Sequence, residues 1–196
     1  DTGAMYRALT LKALETGADL EDPEALAALA RESTVELTGE PGRQGVRLDG
    51  RDVTDAIREN RISTHSHYLA RTAGVRQVLV AEQRAMAERY GGHVVAEGRD
   101  QGTVVFPDAA VKFFLDADAE VRARRRQLEL EGRGEVRSYR EVLAEVRERD
   151  RRDSTREADP LRMADDAVRV DTTNLGVEAM IEALAGEVRR RAGEDG

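Results

Sequence analysis

Apolar residues at Ala4, Met5, Ala8, Leu9, Leu11 and Leu14 recur at helical spacing and predict a helix that Thr2 caps and Gly17 ends. A second helix is predicted from Pro23, whose fixed φ suits a first turn, through Leu26 and Leu29. The period then changes. Thr34-Val35-Glu36-Leu37-Thr38 alternates, Gly39 to Gly45 is turn-rich, and Val46-Arg47-Leu48 alternates again before Asp49-Gly50. Residues 31–62 therefore read as a small insert of short antiparallel strands built on a hairpin. Helical pattern returns from about Thr64 to Tyr90.

Three strand-then-helix signals follow. His93-Val94-Val95-Ala96 is a short apolar strand ending in Glu97-Gly98-Arg99-Asp100. Val111 to Leu115 is a second, with a helix from about Ala119. Ala167 to Val170 is a third, followed by Asp171-Thr172-Thr173-Asn174 and a helix through Ile181 and Leu184. Strands alternating with helices imply an α/β fold with a parallel sheet covered on both faces. Ligands of such sheets sit beyond the carboxyl ends of the strands, which singles out Gly98-Arg99-Asp100, Asp116 and Asp171. An Arg-Asp pair at a strand mouth serves equally well as a structural ion pair.

A length of 196 residues suits one domain with a real core. Cysteine is absent, which excludes disulfides and fits a reducing cytoplasm, and His65, His67 and His93 are the only histidines. No run approaches the roughly 18 apolar residues of a membrane span, and no signal peptide is visible. The net charge of −8 disfavours nucleic acid as a partner, and aromatics at 4% are too few for a base-stacking platform. Against that acidity, the stretch from Arg122 to Arg156 is net positive, and Lys12 and Lys112 are the only lysines. Arginine's planar fork matches phosphate and carboxylate, although codon usage and a solvated helix face explain such a count as well.

Arg149, Asp153 and Arg156 stand at i, i+4 and i+7, on one face of a predicted helix whose other face carries Val142, Leu143 and Val146. By itself such a stripe is a salt-bridged surface. Beside Arg7, Arg76 and Arg99 it becomes a set of cations able to converge on one anion, as phosphoryl transfer requires.

Three segments resemble the bacterial cytidylate kinases. Asp1-Thr2-Gly3-Ala4-Met5-Tyr6-Arg7 is similar to that family's D-[ST]-G-x-x-Y-R. Gly98-Arg99-Asp100-Gln101-Gly102-Thr103-Val104-Val105-Phe106-Pro107-Asp108-Ala109 follows its G-R-D-x-G-T-V-V-F-P-x-A. Arg149-Asp150-Arg151-Arg152-Asp153-Ser154-Thr155-Arg156, with Pro160-Leu161, resembles its R-D-x-x-D-x-x-R lid segment.

The resemblance spans the chain. It implies a P-loop nucleoside monophosphate kinase fold over residues 1–196, with 31–62 as the nucleotide-binding insert and 121–159 as the lid region. It further implies transfer of the γ-phosphate of ATP, with Mg²⁺, to CMP or dCMP by a cytoplasmic monomer. Arg7, Arg99 and Arg149 would grip the acceptor phosphate. Arg76 and Asp100 would read cytosine, Asp153 would hold the sugar hydroxyls, and Arg156 would stabilise the phosphoryl group in flight. Thr2, Gly3 and Tyr6 would line the nucleotide pocket.

Departures from the family pattern are few. His67 stands where the family usually carries a serine that helps recognise the base; it can donate or accept in its place. Ala73 replaces a common proline and Gln101 an aliphatic residue. The phosphate loop G-x-x-x-x-G-K-[ST] does not occur among the 196 residues. The expectation is a chain cut before its first strand and phosphate loop, poorly stable and inactive alone. Competing readings are a kinase for another small acceptor such as UMP or shikimate, a non-catalytic CMP-binding short form, and, last, an arginine-rich RNA binder.

Overall fold

A computed structural model describes residues 1–40 and 43–193. The chain forms two compact units, one made of Asp1–Val105 with Arg156–Asp159 and the other of Phe106–Thr155 with the chain from Pro160 on.

The first unit is organised around helix α1 (Gly3–Thr16), which buries Ala4, Met5, Ala8, Leu9, Leu11 and Ala13. A helix apolar on nearly every side is a core helix. Thr10, buried with them, satisfies its hydroxyl on the Tyr6 carbonyl at 2.7 Å. Gly17 ends α1 in the left-handed conformation, φ 68°. The expected cap is different, however. Asp1 Oδ1, not the Thr2 hydroxyl, accepts from the Ala4 N–H, at 3.0 Å. Thr2 is drawn away because its Oγ1 donates to the Glu97 carbonyl at 2.8 Å.

Helix α2 (Pro23–Arg31) has the expected proline in its first turn, with Asp22 accepting from the N–H groups of Glu24 and Ala25. Strands β1 (Val35–Glu40), β2 (Arg43–Leu48) and β3 (Arg51–Asp52) make an antiparallel sheet of order β1-β2-β3, with Val35 opposite Leu48 and Leu37 opposite Val46. Pro41 and Gly42, part of the turn-rich run expected from Gly39 to Gly45, lie outside the described residues. Val35, Val46 and Leu48 join the same hydrophobic cluster as α1, so the insert shares its core with that helix.

The single helical stretch expected from 64 to 90 is two helices, α3 (Asn60–Arg71) and α4 (Ala73–Arg89), which meet at extended Thr72. A Cβ on Gly74 would come within 2.6 Å of the Ala27 Cβ, so glycine there lets α4 lie close on α2. Val75, Arg76, Leu79, Gln83 and Ala87 form the buried stripe of α4.

His93–Ala96 is not a strand. Among the described residues no strand runs beside it to take its backbone groups, and Val95 is fully exposed. A strand exists only with a ladder partner, so the apolar run alone did not make one.

In the second unit, β4 (Phe113–Asp116) and β5 (Val168–Asp171) pair in parallel, with Phe113 opposite Val168 and Asp116 opposite Asp171. Helices α5 (Ala119–Gly132) and α6 (Tyr139–Thr155) pack through Ala123, Leu130 and Val142. Helix α7 (Val177–Ala192) buries none of its residues fully. No helix of the described residues is long and apolar enough to cross a membrane.

Candidate functional site

The Gly98-Arg99-Asp100 loop is pinned to the start of α1. The Thr2 N–H and hydroxyl both donate to the Glu97 carbonyl, at 3.1 and 2.8 Å. A Cβ on Gly98 would sit 2.5 Å from Thr2 Oγ1 and 2.8 Å from Gln101 Nε2, so glycine is needed for the approach. Gln101 Nε2 in turn donates to Thr2 Oγ1 at 3.0 Å and to Gln83 Oε1 at 3.1 Å. The residues after Asp100 form one π-helical turn, Gln101–Val105, whose Val104 and Val105 N–H groups donate to the Asp100 carbonyl. Arg84, from α4, caps this turn by donating to the Val104 and Val105 carbonyls at 2.7 and 2.8 Å.

Asp100 is thus delivered against Arg76. The pair is buried, with side chains 6% and 3% exposed, and Arg76 Nη2 donates to Asp100 Oδ2. Arg76 Nη1 donates to the Ala70 carbonyl at 3.2 Å, near the end of α3 where carbonyls lack helical partners. Arg76 Nε donates to Asp159 Oδ2 at 2.6 Å. The guanidinium carbon lies 5.8 Å from the centre of the Tyr6 ring, within cation–π range.

Tyr6 collects this cluster. Burial pushes its phenol up to about 12, opposed by the charges of Arg76 and Arg156 and reinforced by those of Asp100 and Asp159. Its hydroxyl is buried without a hydrogen-bond partner in the protein. An orphan of this kind costs about 1–3 kcal/mol, and a polar ligand would relieve it.

Arg156 does not continue the face of Arg149 and Asp153. Helix α6 ends at Thr155, and Arg156 turns back to donate through Nε to the Asp159 carbonyl at 2.8 Å. The physical reason is Asp159, at φ 46° and followed by Pro160, which cannot extend a helix. Arg149 and Asp153 remain on α6 in the second unit, as an i,i+4 pair 3.8 Å apart.

Arg7, one residue beyond Tyr6, is ion-paired with Asp1. A Cβ on Gly3 would lie 3.0 Å from Asp1 Oδ1 and 3.3 Å from Arg7 Nη1, so Gly3 makes room for that pair. Arg99 is half-buried on the pinned loop. His67 is half-buried on α3, its Nδ1 2.9 Å from the Thr64 carbonyl and its ring 4.1 Å from that of Tyr68. A carbonyl only accepts, so in that contact Nδ1 is the donor.

The other strand-end acids are occupied locally. Asp116 Oδ1 accepts from the Ala117 N–H while Oδ2 pairs with Arg169, and Asp171 Oδ1 accepts from the Thr173 N–H. The arginine-rich stretch is largely a salt-bridged surface: Arg122 grips Asp150 with both Nη atoms, Arg147 pairs with Glu120, and Arg151 and Arg152 share Glu148.

One member of the cluster was missed in the sequence. Asp159 meets Arg76 across 83 residues. Asp-Pro marks a turn, but nothing in it names a partner so far away.

A family model described as Cytidylate kinase matches residues 1–190. The cytidylate kinase of Geobacillus kaustophilus is 48% identical over 193 residues, 98% of this chain and 85% of that protein. That of Bacillus licheniformis is 46% identical over 193 residues, covering 98% and 84%, and that of Pseudomonas aeruginosa 44% over 193 residues, covering 97% and 83%.

Proposed function

The chain belongs to the cytidylate kinase family, and we propose that its buried Arg76–Asp100 pair is the base-reading element of phosphoryl transfer from ATP to CMP or dCMP. The transfer yields CDP or dCDP, a step of pyrimidine nucleotide metabolism.

The observation that carries this reading is a buried ion pair beside an orphaned hydroxyl. Buried pairs are weak stabilisers, because desolvation offsets their attraction. Here Arg76 engages Asp100 through Oδ2, and a carboxylate has further lone pairs to offer a ligand. Asp100 can accept from the exocyclic amine of cytosine while Arg76 donates to the acceptors beside it. Uracil places an acceptor where the amine was and would face Asp100 with a lone pair. Tyr6, with its O–H buried and unpartnered, supplies a further donor to the same ligand.

The family resemblance gives the other residues their roles. Arg7, Arg99 and Arg149 hold the acceptor phosphate through forked N–H donors. Asp153 holds the sugar hydroxyls, and Thr2, Gly3 and His67 line the nucleotide pocket. Arg156 stabilises charge spread over the transferring group. Mg²⁺ accompanying ATP would be held chiefly by phosphate oxygens and water, where it supplies charge neutralisation. Among the described residues no group of three or more His, Asp or Glu side chains is placed to cage it.

The test is steady-state kinetics of the protein expressed from its complete gene, with CMP and UMP as acceptors. Asp100→Ala should reduce kcat/KM for CMP more than for UMP, a discrimination of about 1–3 kcal/mol for one base-edge contact. Arg156→Ala should lower kcat by about 10²–10⁴ with KM for CMP nearly unchanged. Equal losses for both acceptors in Asp100→Ala would make Asp100 structural, and failure of the unaltered protein to phosphorylate CMP would overturn the reading altogether.

A further inference from the structure

Asp159 touches both arginines on which this chemistry turns. Its Oδ2 accepts from Arg76 Nε at 2.6 Å, and its backbone carbonyl accepts from Arg156 Nε at 2.8 Å and from Arg156 Nη2. Its backbone is left-handed, a region in which aspartate is among the few non-glycine residues tolerated. The four residues Arg156–Asp159 belong to the first unit although the helix before them belongs to the second.

We propose that Asp159 is a positioning residue that couples the reading of a pyrimidine nucleoside monophosphate's base to the placement of Arg156. The proposal rests on the roles given above to Arg76, Asp100 and Arg156.

Geometry supports it first. A guanidinium carries five N–H donors in a rigid fork. The Ala70 carbonyl, Asp100 and Asp159 engage three different nitrogens of Arg76, which fixes the plane of the group as well as its position. Without the Asp159 carboxylate, Nε would lose this partner and the plane would rest on the Ala70 carbonyl and Asp100. Arg76 thus meets its ligand already ordered, and side chains ordered before binding lose less entropy on binding.

Charge supports it next. One guanidinium faces two carboxylates, so Asp100 is not neutralised one for one and retains lone pairs for an amine donor. Covalent linkage supplies the coupling. The carboxylate on Arg76 and the carbonyl on Arg156 are parts of one residue, so a shift of Asp159 displaces both arginines together. Its side chain, 36% exposed, is the least buried member of the triad it forms with Arg76 and Asp100.

The test uses the protein expressed from its complete gene and measures kcat and KM with CMP and UMP, with thermal unfolding alongside. Asp159→Ala is expected to raise KM for CMP about ten-fold, the effect of losing one hydrogen bond to a charged group. It should also narrow the preference for CMP over UMP and lower kcat. Asp159→Asn keeps an oxygen acceptor for Arg76 Nε and should restore most of the KM; it carries the test if the alanine variant does not fold. Asp100→Ala is run as the reference. If Asp100→Ala loses CMP selectively while both Asp159 variants match the unaltered protein, the role of Asp159 is overturned and the base site stands. If no variant changes selectivity, both are overturned. Equal losses for CMP and UMP that follow a fall in thermal stability would reduce Asp159 to a structural residue. Faster turnover in Asp159→Ala would show that it restrains Arg156, which also overturns positioning.

Discussion

The two units are built from the same kinds of residue and held together by different physics. The first closes on a continuous apolar cluster from Met5 and Leu9 through Leu26, Val46, Ile57, Leu69 and Leu79. The second has a small cluster of Ala123, Leu130 and Val142, and much of its helix surface is laced by arginine–carboxylate pairs. Leu115, Leu128 and Ile181 stay half-exposed or more in it. Apolar burial is insensitive to salt and holds side chains in fixed places, whereas exposed ion pairs are weak and screened. The Arg76–Asp100–Asp159 cluster sits in the first kind of surroundings, where charged groups can be held in place before a ligand arrives. Arg149 and Asp153 sit in the second.

The sharpest way to break this comparison is to cut into each core. Leu9 is fully buried, and Leu9→Ala should cost about 3–5 kcal/mol in urea unfolding, whereas Leu130→Ala, in the smaller cluster of the second unit, should cost only about 2 kcal/mol. Similar losses for both would mean that the second unit is as tightly packed as the first.

A smaller effect tests how well the first unit is sealed. Tyr6 holds its proton up to about 12 because of burial, against an ordinary value near 10. Above pH 10 the unfolded chain gives up this proton while the folded chain keeps it, so the unfolded state binds fewer protons and stability falls as pH rises. Stability is fully present below pH 10 and declines up to about pH 12. Between pH 9 and 11 the decline assignable to Tyr6 should be about 1 kcal/mol, and Tyr6→Phe should abolish it. The same slope in Tyr6→Phe would show that the ring is open to water.

The smallest effect belongs to the second unit. Arg122 holds Asp150 through two contacts, at 2.9 and 2.7 Å, with both side chains 36% exposed. A double-mutant cycle with Arg122→Ala and Asp150→Ala should give a coupling of about 0.5–1 kcal/mol that fades in 1 M NaCl. A coupling that survives the salt would place this pair among the buried ones.

Much of the fold could be read directly. The left-handed stop at Gly17, the proline opening α2, the alternation that became β1 and β2, and the parallel pairing of β4 and β5 all follow from local preferences and spacing. Arg76 and Asp100 were linked in the sequence only by the family resemblance, which put both on the cytosine edge; that they pair with each other is seen in the fold. Where pattern failed, the missing information was a neighbour. His93–Ala96 is apolar enough for a strand, but a strand is a relation between two segments. Asp116 and Asp171 looked like ligand-facing acids, and the adjacent N–H groups of Ala117 and Thr173 had already claimed them.

By itself, then, the sequence determined which residue types are present, in what order and with what local geometry: a glycine where Thr2 must approach the loop, arginines enough for a phosphate, and motifs that carry the family. Tertiary structure alone decided which charges meet. It set the Asp159 carboxylate on Arg76, 83 residues away, and brought Asp100 to the same guanidinium. The reason is that helix spacing is dictated within a few residues, whereas an ion pair across 83 residues exists only when the chain between them has folded.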